Sequence, residues 1–502
     1  IRQDSRKHEQ VWKTLNDKLT QQKKGLDWKS WEQANSQKQM EELLAITTNP
    51  VFLTLDDPLA EETIRSISAI KSIQQQNGES GCHRYVISNC QKPAHVIQVF
   101  QLASLLISEN HHLPLDIVPL FETIDDLANA PEIMSELYHL PAYRRHLQLR
   151  GEKQTIMLGF SDGTKDGGYL RANWSIFRAK EKLTEVSRQH GITVVFFDGR
   201  GGPPARGGGN THDFYASLGD TVENREVQVT VQGQTISSNF GKIASCSYNM
   251  EQLLSAGIEQ SVFPRNENQL KEEDKILLDR LAQVAYQAYL DLKHHPKFVP
   301  YLEKVTPLSF FGDTNIGSRP VKRNAQEGLR FEDLRAIPFV GSWAMMKQNI
   351  PGFYGVGSAI QTLKGEGEGE RLRNLYKQSL FFRTLLGNSM MSLTKTYYQA
   401  TTYLSSDAEF GDFWKKMYRE YELSRKELLE VSELSELMGN NQTIRDSVHL
   451  REKIVLPLIA IQQYALMHLR ARSASDQIYE IKYRKLIIRS MFGIINAARN
   501  SA

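Results

Sequence analysis

The hydrophobic pattern of the chain changes period repeatedly, and each change marks an element. Ile192 to Phe197 reads I-T-V-V-F-F, an apolar β-branched and aromatic run of the kind carried by a strand buried on both faces. It stops at Asp198 and gives way to G-R-G-G-P-P-A-R-G-G-G-N, a glycine-rich loop that holds Arg200 and Arg206. Short apolar runs predict further strands at Tyr85 to Ser88, Leu115 to Phe121 and Thr155 to Phe160, and Val227, Val229 and Val231 alternate with polar residues in another. Between the strands the period lengthens to that of helices. Ile64, Ile67 and Ile70 recur within Asp57 to Gln76, closed by Gly78; Ala94 to Ile107 is a second helix; Ile176, Ala179, Leu183 and Val186 share one face of a third, stopped by Gly191. Arg2 opens a polar, lysine-rich stretch that reads as helix to about Leu44. K-G-E-G-E-G-E, Lys364 to Glu370, reads as a solvated, flexible loop. From Arg371 onward the pattern is helical, broken by polar turns around Ser405 and Gly439 and by Pro457.

Strands separated by helices, each strand ending in charged residues on a glycine-bearing loop, predict an α/β protein. The favoured architecture is a β/α (TIM-type) barrel whose strands are embedded in a predominantly α-helical protein, with chemistry at the C-terminal strand ends. An open doubly wound sheet is the competing fold, but no G-x-G-x-x-G follows an early strand, and the polar residues recur after several strands. The expected division is a barrel-bearing region, 1–345, followed by a helical region, 346–502.

The candidate chemistry sits at the strand ends. Glu122 and Asp162 follow different strands, an arrangement suited to a hard cation such as Mg²⁺ or Mn²⁺. A helix cap or an ion pair with a nearby arginine is the alternative for each. Asp162, Lys165 and Asp166 fall in S-D-G-T-K-D-G-G, which reads as a loop. Glycines around Arg200 and Arg206 let backbone N–H groups approach an anion, and each guanidinium offers a fork for phosphate or carboxylate. The same glycines fit a mobile lid, and the bland alternative is a surface linker. Arg319 in N-I-G-S-R-P and Arg335 in L-R-A-I-P-F add cations in later loops. So much positive charge beside a divalent metal points to a phosphorylated carboxylate, reacting at phosphorus or at an enolate. Neither a G-x-x-x-x-G-K-[ST] loop nor a G-x-S-x-G elbow is present, and His111 and His112 read as solvent-facing turn residues.

Composition narrows the partners. The 502 residues carry 61 Lys and Arg against 58 Asp and Glu, a net charge of +3 with no whole-chain basic field, so nucleic acid is not expected as a partner. Cys82, Cys90 and Cys246 form no C-x-x-C pair, which fits a reducing compartment and argues against a disulfide framework or structural zinc. No apolar run reaches the ~18 residues needed to span a bilayer, and the charged start excludes a signal peptide. The expectation is a cytoplasmic protein without a membrane partner. A start at Ile1 suggests that something lies upstream.

F-S-D-G-T-K-D-G-G, F-D-G-R-G-G-P-P-A-R-G-G-G, V-T-V-Q-G-Q-T-I, N-I-G-S-R-P and L-R-A-I-P-F, in this order, closely resemble the phosphoenolpyruvate carboxylase family. The resemblance implies formation of oxaloacetate and phosphate from phosphoenolpyruvate and bicarbonate, with Mg²⁺ or Mn²⁺ and no biotin, through carboxyphosphate and pyruvate enolate. It implies that Glu122 and Asp162 bind the metal, that Arg2, Arg319 and Arg335 hold the substrate phosphate, and that Arg200 and Lys165 lie by the reacting groups. Arg206 matches a catalytic arginine with two assignments: it sits on the mobile loop that closes over the active site, and it is captured by the feedback inhibitor aspartate or malate, whose site also takes in Lys395, Arg451 and Asn500. A homotetramer is also implied.

Three motifs depart from the family pattern. Asp198 replaces the histidine of H-G-R-G-G, S-D-S-x-K-D-A-G has become S-D-G-T-K-D-G-G, and the usual R-N-T-G end is R-N-S-A. The family's T-A-H-P-T segment would lie upstream of Ile1, so the chain reads as the C-terminal portion of the enzyme and is expected to lack carboxylase activity alone. Two alternatives stay open: another metal-dependent enzyme acting on phosphoenolpyruvate, and a non-catalytic fragment or regulatory anion-binding scaffold.

Overall fold

The computed structural model describes residues 1–52, 55–232, 234–262, 269–314, 329–471 and 477–498. Six short strands form one sheet in sequence order: β1 (Arg2–Asp4), β2 (Arg84–Ser88), β3 (Asp116–Phe121), β4 (Lys153–Leu158), β5 (Thr193–Asp198) and β6 (Val227–Val229). The pairings β1 with β2, β2 with β3, β3 with β4 and β4 with β5 are all parallel. Parallel neighbours need a crossover, and helices supply it: Pro58–Asn77 lies between β1 and β2, Pro93–Ile107 between β2 and β3, Ile124–His139 between β3 and β4, and Tyr169–Gln189 between β4 and β5. The protein is thus α/β, helix-rich, with one parallel sheet. Val86 pairs with Val118, and Met157 with Phe197; together with Leu120 they pack into one apolar cluster.

The chain divides into two compact units that alternate along the sequence. The first comprises Ile1–Gly159, Ile176–Asp198 and Thr221–Gln228; the second comprises Phe160–Ser175, Gly199–Asp220 and Val229–Ala502. The first unit holds most of the sheet. The second is built from helices, with an aromatic cluster in which Phe298, Tyr301, Trp343 and Phe413 stack edge to face or in parallel.

Several expectations need correction. Arg2 is not in a helix; it begins β1, whose register sets Arg2 opposite Val86, and the following helix is Ser5–Gln21. S-D-G-T-K-D-G-G is helical over Phe160–Gly167 despite its glycines, because Ser161, Gly163, Thr164 and Lys165 are all buried and tertiary packing overrides propensity. Lys364 to Glu370 is no flexible loop: helices Val356–Gly365 and Gly369–Gln378 nearly meet there, and Lys364 is held by Glu427 and Glu430. Pro457 does not interrupt the last region but lies inside one helix, Gln442–Ala471, whose Val455, Ile459 and Leu466 are buried on one face. By length and composition alone that helix is apolar enough to cross a membrane, which no uninterrupted apolar run suggested. Such a test is also passed by helices of proteins that never enter a bilayer.

Candidate active site and anion cavity

In the first unit, Glu122 directly follows β3, and the sequence fixes its backbone. Thr123 caps the helix Ile124–His139 through a capping box with Asp126, and Asp126 also accepts from the Glu122 N–H. Capping is therefore the work of Thr123 and Asp126, which leaves the Glu122 carboxylate for other partners. It is 5% exposed; Oε1 accepts from Arg2 Nη2 at 2.6 Å, and Oε2 accepts from the backbone N–H of Asn89 at 3.1 Å. Two residues separated by most of the first unit's sequence, one expected at a phosphate and the other at a metal, are thus joined as an ion pair. Gly159, just beyond β4, packs against Glu122, where a Cβ would come within 3.1 Å of the Glu122 Cα.

In the second unit, the helix Phe160–Gly167 presents Asp162 and Lys165. Lys165 is 8% exposed, donates to the carbonyl of Glu332 at 3.4 Å and lies 4.7 Å from the centre of the Phe331 ring. Tyr289 donates to the Lys165 carbonyl, and Lys293 bridges the Asp166 carbonyl and carboxylate. These contacts tie the helix to Glu272–Lys293.

The glycine-rich segment is neither an open cradle nor an extended linker. It folds back on itself, with Gly201 N–H donating to the Arg206 carbonyl at 2.7 Å and Gly208 N–H to the Pro203 carbonyl at 2.9 Å. Gly207 adopts φ +79°, and a Cβ there would collide with the Phe160 ring. The fold buries both arginines. Arg200 donates from Nε to the Gly207 carbonyl and stacks its guanidinium 4.1 Å from the centre of the Phe214 ring. Arg206 is 1% exposed and donates from Nε to Ser161 Oγ at 3.1 Å, while its Nη1 has no hydrogen-bond partner. Burial pulls its guanidinium down to about 10, and the negative charge of Asp162 works against that fall. Asp198, which precedes this segment, ends β5 fully buried, with Lys180 Nζ 2.9 Å from both of its oxygens.

A cavity of about 80 Å³ lies elsewhere in the second unit, lined by Lys347, Lys395, Arg451 and Glu452 together with Pro203, Pro204 and Ala205 of the glycine segment. Burial, reinforced by the positive charges of Arg451 and Lys347, pulls the Lys395 ammonium down to about 7. Arg451 Nη1 donates to the Ala498 carbonyl at 3.2 Å. Lys347 is buried, adopts φ +55°, and pairs with Glu452 Oε1 at 2.8 Å. Lys395 and Arg451, expected to share an anion site, are therefore brought together. The Arg206 side chain is not among the lining groups; it is turned toward Ser161. Arg335 occupies the N-cap position of the helix Ala336–Met345 without a capping hydrogen bond from its side chain, while Arg319 and Asn500 lie outside the described residues.

A family model described as phosphoenolpyruvate carboxylase matches residues 1–502. The chain belongs to the phosphoenolpyruvate carboxylase family. A phosphoenolpyruvate carboxylase of Corynebacterium diphtheriae is 33% identical over 463 residues, 90% of this chain and 50% of its own length. That of Nitrosomonas eutropha is 31% identical over 520 residues, 100% of this chain and 54% of its own length. That of Corynebacterium efficiens is 35% identical over 397 residues, 77% of this chain and 42% of its own length. The chain spans about half the length of the curated relatives it matches.

Sequence reasoning passed over Lys180, Lys347 and Glu452. Lys180 carried a signal, since it falls four positions after Ile176 and three before Leu183, on the apolar face of its helix. Lys347 and Glu452 carried none, because their pairing depends on a left-handed turn that no motif marks.

Proposed function

We propose that the polypeptide carrying this chain forms oxaloacetate and phosphate from phosphoenolpyruvate and bicarbonate. Beyond family membership, the observation that carries this reading is the buried Arg206 guanidinium, held by Ser161 near Asp162 with one N–H group left over. An unpaired donor in a buried cationic group is costly unless an anion completes it. In this reading Arg2, Arg319 and Arg335 hold the substrate's phosphate, and Arg200 and Arg206 are catalytic arginines beside the reacting groups. A bicarbonate oxygen attacks phosphorus as the enolate oxygen leaves, giving carboxyphosphate and pyruvate enolate. Carboxyphosphate then releases CO₂ and phosphate, and the enolate carbon closes the new C–C bond on CO₂. Lys165, buried and charged, supplies fixed positive charge for these anions.

The residues fit Mg²⁺ or Mn²⁺ rather than a soft metal. Glu122 and Asp162 offer carboxylate oxygen only, and among the described residues no group of three or more His, Cys, Asp or Glu could form a closed site. Each carboxylate would offer oxygen ligands to such an ion, which when bound would supply positive charge to the phosphoryl and enolate oxygens. Arg2 and Glu122 are halves of one ion pair here, so drawing either one to substrate or metal releases the other. No biotin is required in this scheme.

Regulation belongs to the same proposal. Lys395, Arg451 and Asn500 bind aspartate or malate, and Arg206 joins them when its segment opens. Pro203, Pro204 and Ala205 form part of the cavity wall, so an occupant bears on the segment that carries Arg206. A ligand that favours the arrangement with Arg206 withdrawn from Ser161 inhibits by shifting that equilibrium. The strand order β1 to β6, parallel throughout the pairs above, is the order that closure into a barrel requires, and a TIM-type barrel in a cytoplasmic homotetramer completes the picture. A coupled assay for oxaloacetate with Mg²⁺, phosphoenolpyruvate and bicarbonate tests the function. Turnover must require bicarbonate and fall at least about 100-fold in Arg206→Ala, the scale of losing one well-placed oxyanion donor. Bicarbonate-independent turnover contradicts the proposal.

A further inference from the structure

A lysine carries its charge on a flexible four-carbon stem, so one that supplies fixed positive charge has to be held at its tip as well as at its backbone. In the second unit Lys165 is held at both. Its carbonyl accepts from the Tyr289 hydroxyl at 2.9 Å, and its ammonium lies 4.7 Å from the centre of the Phe331 ring and donates to the Glu332 carbonyl at 3.4 Å. Phe331 and Glu332 belong to one turn, in which the Leu334 N–H donates to the Phe331 carbonyl at 3.2 Å. The Phe331 ring is buried and is itself fixed edge to face by Phe298 and Phe339, each with its centroid 5.4 Å away. Lys293 shares the ring at 5.4 Å, but its ammonium is paired with the Asp166 carboxylate at 3.1 Å.

We propose that Phe331 is a positioning residue for Lys165, its π face holding the ammonium in place without cancelling its charge. The inference rests on the reading of Lys165 as a cation that meets the reacting anions. A carboxylate in the place of the ring would fix the ammonium too, but would cancel most of the field that those anions feel. A ring attracts a cation through its quadrupole and bears no net charge, and a carbonyl is only a dipole, so the unit charge stays available to an enolate or phosphoryl oxygen. Ring and ammonium are both buried, which makes the contact stronger than an exposed one. A charge held in advance of the reaction favours the transition state over the bound substrate, so its loss falls on kcat rather than on KM.

Oxaloacetate formation and lysine labelling, both measured on the polypeptide carrying this chain, test this. Phe331→Leu keeps an apolar side chain and removes the π face; it should lower kcat about tenfold, the scale of a buried cation–π contact, and shift KM for phosphoenolpyruvate by less than about twofold. Phe331→Tyr keeps the face and should retain kcat within about threefold. Limited acetylation followed by peptide mass spectrometry reads the ammonium itself. Lys165 should be modified several-fold faster in Phe331→Leu than in the unmutated protein or in Phe331→Tyr, while Lys347, similarly buried but paired with Glu452, keeps its rate. Equal losses of kcat in the Leu and Tyr variants, a rise in KM that accounts for the whole loss, or an unchanged labelling rate at Lys165 overturns the inference. Faster labelling of Lys347 alongside Lys165 also overturns it, because that marks a general loosening. Should Phe331→Leu fail to fold, Phe331→Met takes its place with the same expected outcomes, since methionine fills irregular apolar space without a ring. No turnover by the unmutated polypeptide, with the labelling contrast intact, overturns the carboxylation reading and leaves the hold on Lys165 standing.

Discussion

The Lys180–Asp198 pair gives the sharpest stability prediction. The side chains are 1% and 0% exposed, and Nζ lies 2.9 Å from both carboxylate oxygens. At that distance and an effective dielectric constant of ~20 the attraction is about 6 kcal/mol. Desolvating each ion costs several kcal/mol, so the net worth of the pair is small although the cost of orphaning either member is large. Lys180→Met leaves the Asp198 charge buried at the end of β5 and should destabilise the protein by about 3–5 kcal/mol. Asp198→His, which restores the residue usual in the family, should cost a similar amount while Lys180 remains, because it takes the carboxylate away from a buried ammonium. The double replacement Lys180→Met with Asp198→Leu should lie within about 1 kcal/mol of the unmutated protein. Urea unfolding followed by tryptophan fluorescence measures all four. Single substitutions costing less than about 1 kcal/mol, or a double variant as unstable as the singles, would refute the coupling.

Three further outcomes follow from particular contacts. The ammonium of Lys395 titrates near 7 with Arg451, Lys347 and Glu452 facing it, and a bound anion raises that value. Aspartate affinity should therefore be greatest below pH 7 and fall as pH rises above it, a dependence that Lys395→Met removes in calorimetry at pH 6 and pH 8. The sign for stability is the reverse of a stabilising pair: the unfolded lysine binds its proton up to about 10.5, so this group's penalty is full below pH 7 and is relieved as pH rises toward 10.5. Glu420 is buried and accepts from the N–H groups of Gly355 and Ser358 and from the hydroxyls of Ser358 and Ser424, at the start of helix Val356–Gly365; Glu420→Ala should cost about 3 kcal/mol in urea unfolding. Gly207→Ala meets both a left-handed backbone and the Phe160 ring, so it should cost about 2 kcal/mol or more and expose 199–210 to limited proteolysis. An unchanged cleavage pattern would show that the segment accommodates a side chain.

Much of the sheet was legible because buried parallel strands carry dense β-branched and aromatic residues. β2, β3, β4 and β5 fall within one or two residues of the runs that announce them. β1 was not legible, since three residues are too few to show a period and Arg2–Asp4 is polar throughout; only pairing with β2 makes it a strand. Phe160–Gly167 misled for the opposite reason, as local glycine content pointed to a loop while contacts from Tyr289 and Lys293, more than a hundred residues away, hold it helical. The site followed the same division. Glu122 could be placed at a strand end from sequence, but its ion pair with Arg2 joins β3 to a strand that no pattern revealed. Arg206 was visible as a loop arginine, whereas its burial comes from a turn that folds inward around Gly207.

The most direct measurement follows isotope from bicarbonate into product. With Mg²⁺, phosphoenolpyruvate and bicarbonate labelled with ¹³C and ¹⁸O, the polypeptide carrying this chain should yield oxaloacetate labelled at the new carboxyl carbon and phosphate that has gained one bicarbonate oxygen. Both labels together are the signature of attack on phosphorus followed by capture of CO₂. Consumption of phosphoenolpyruvate without carbon label in oxaloacetate, or without oxygen label in phosphate, would contradict the proposed carboxylation.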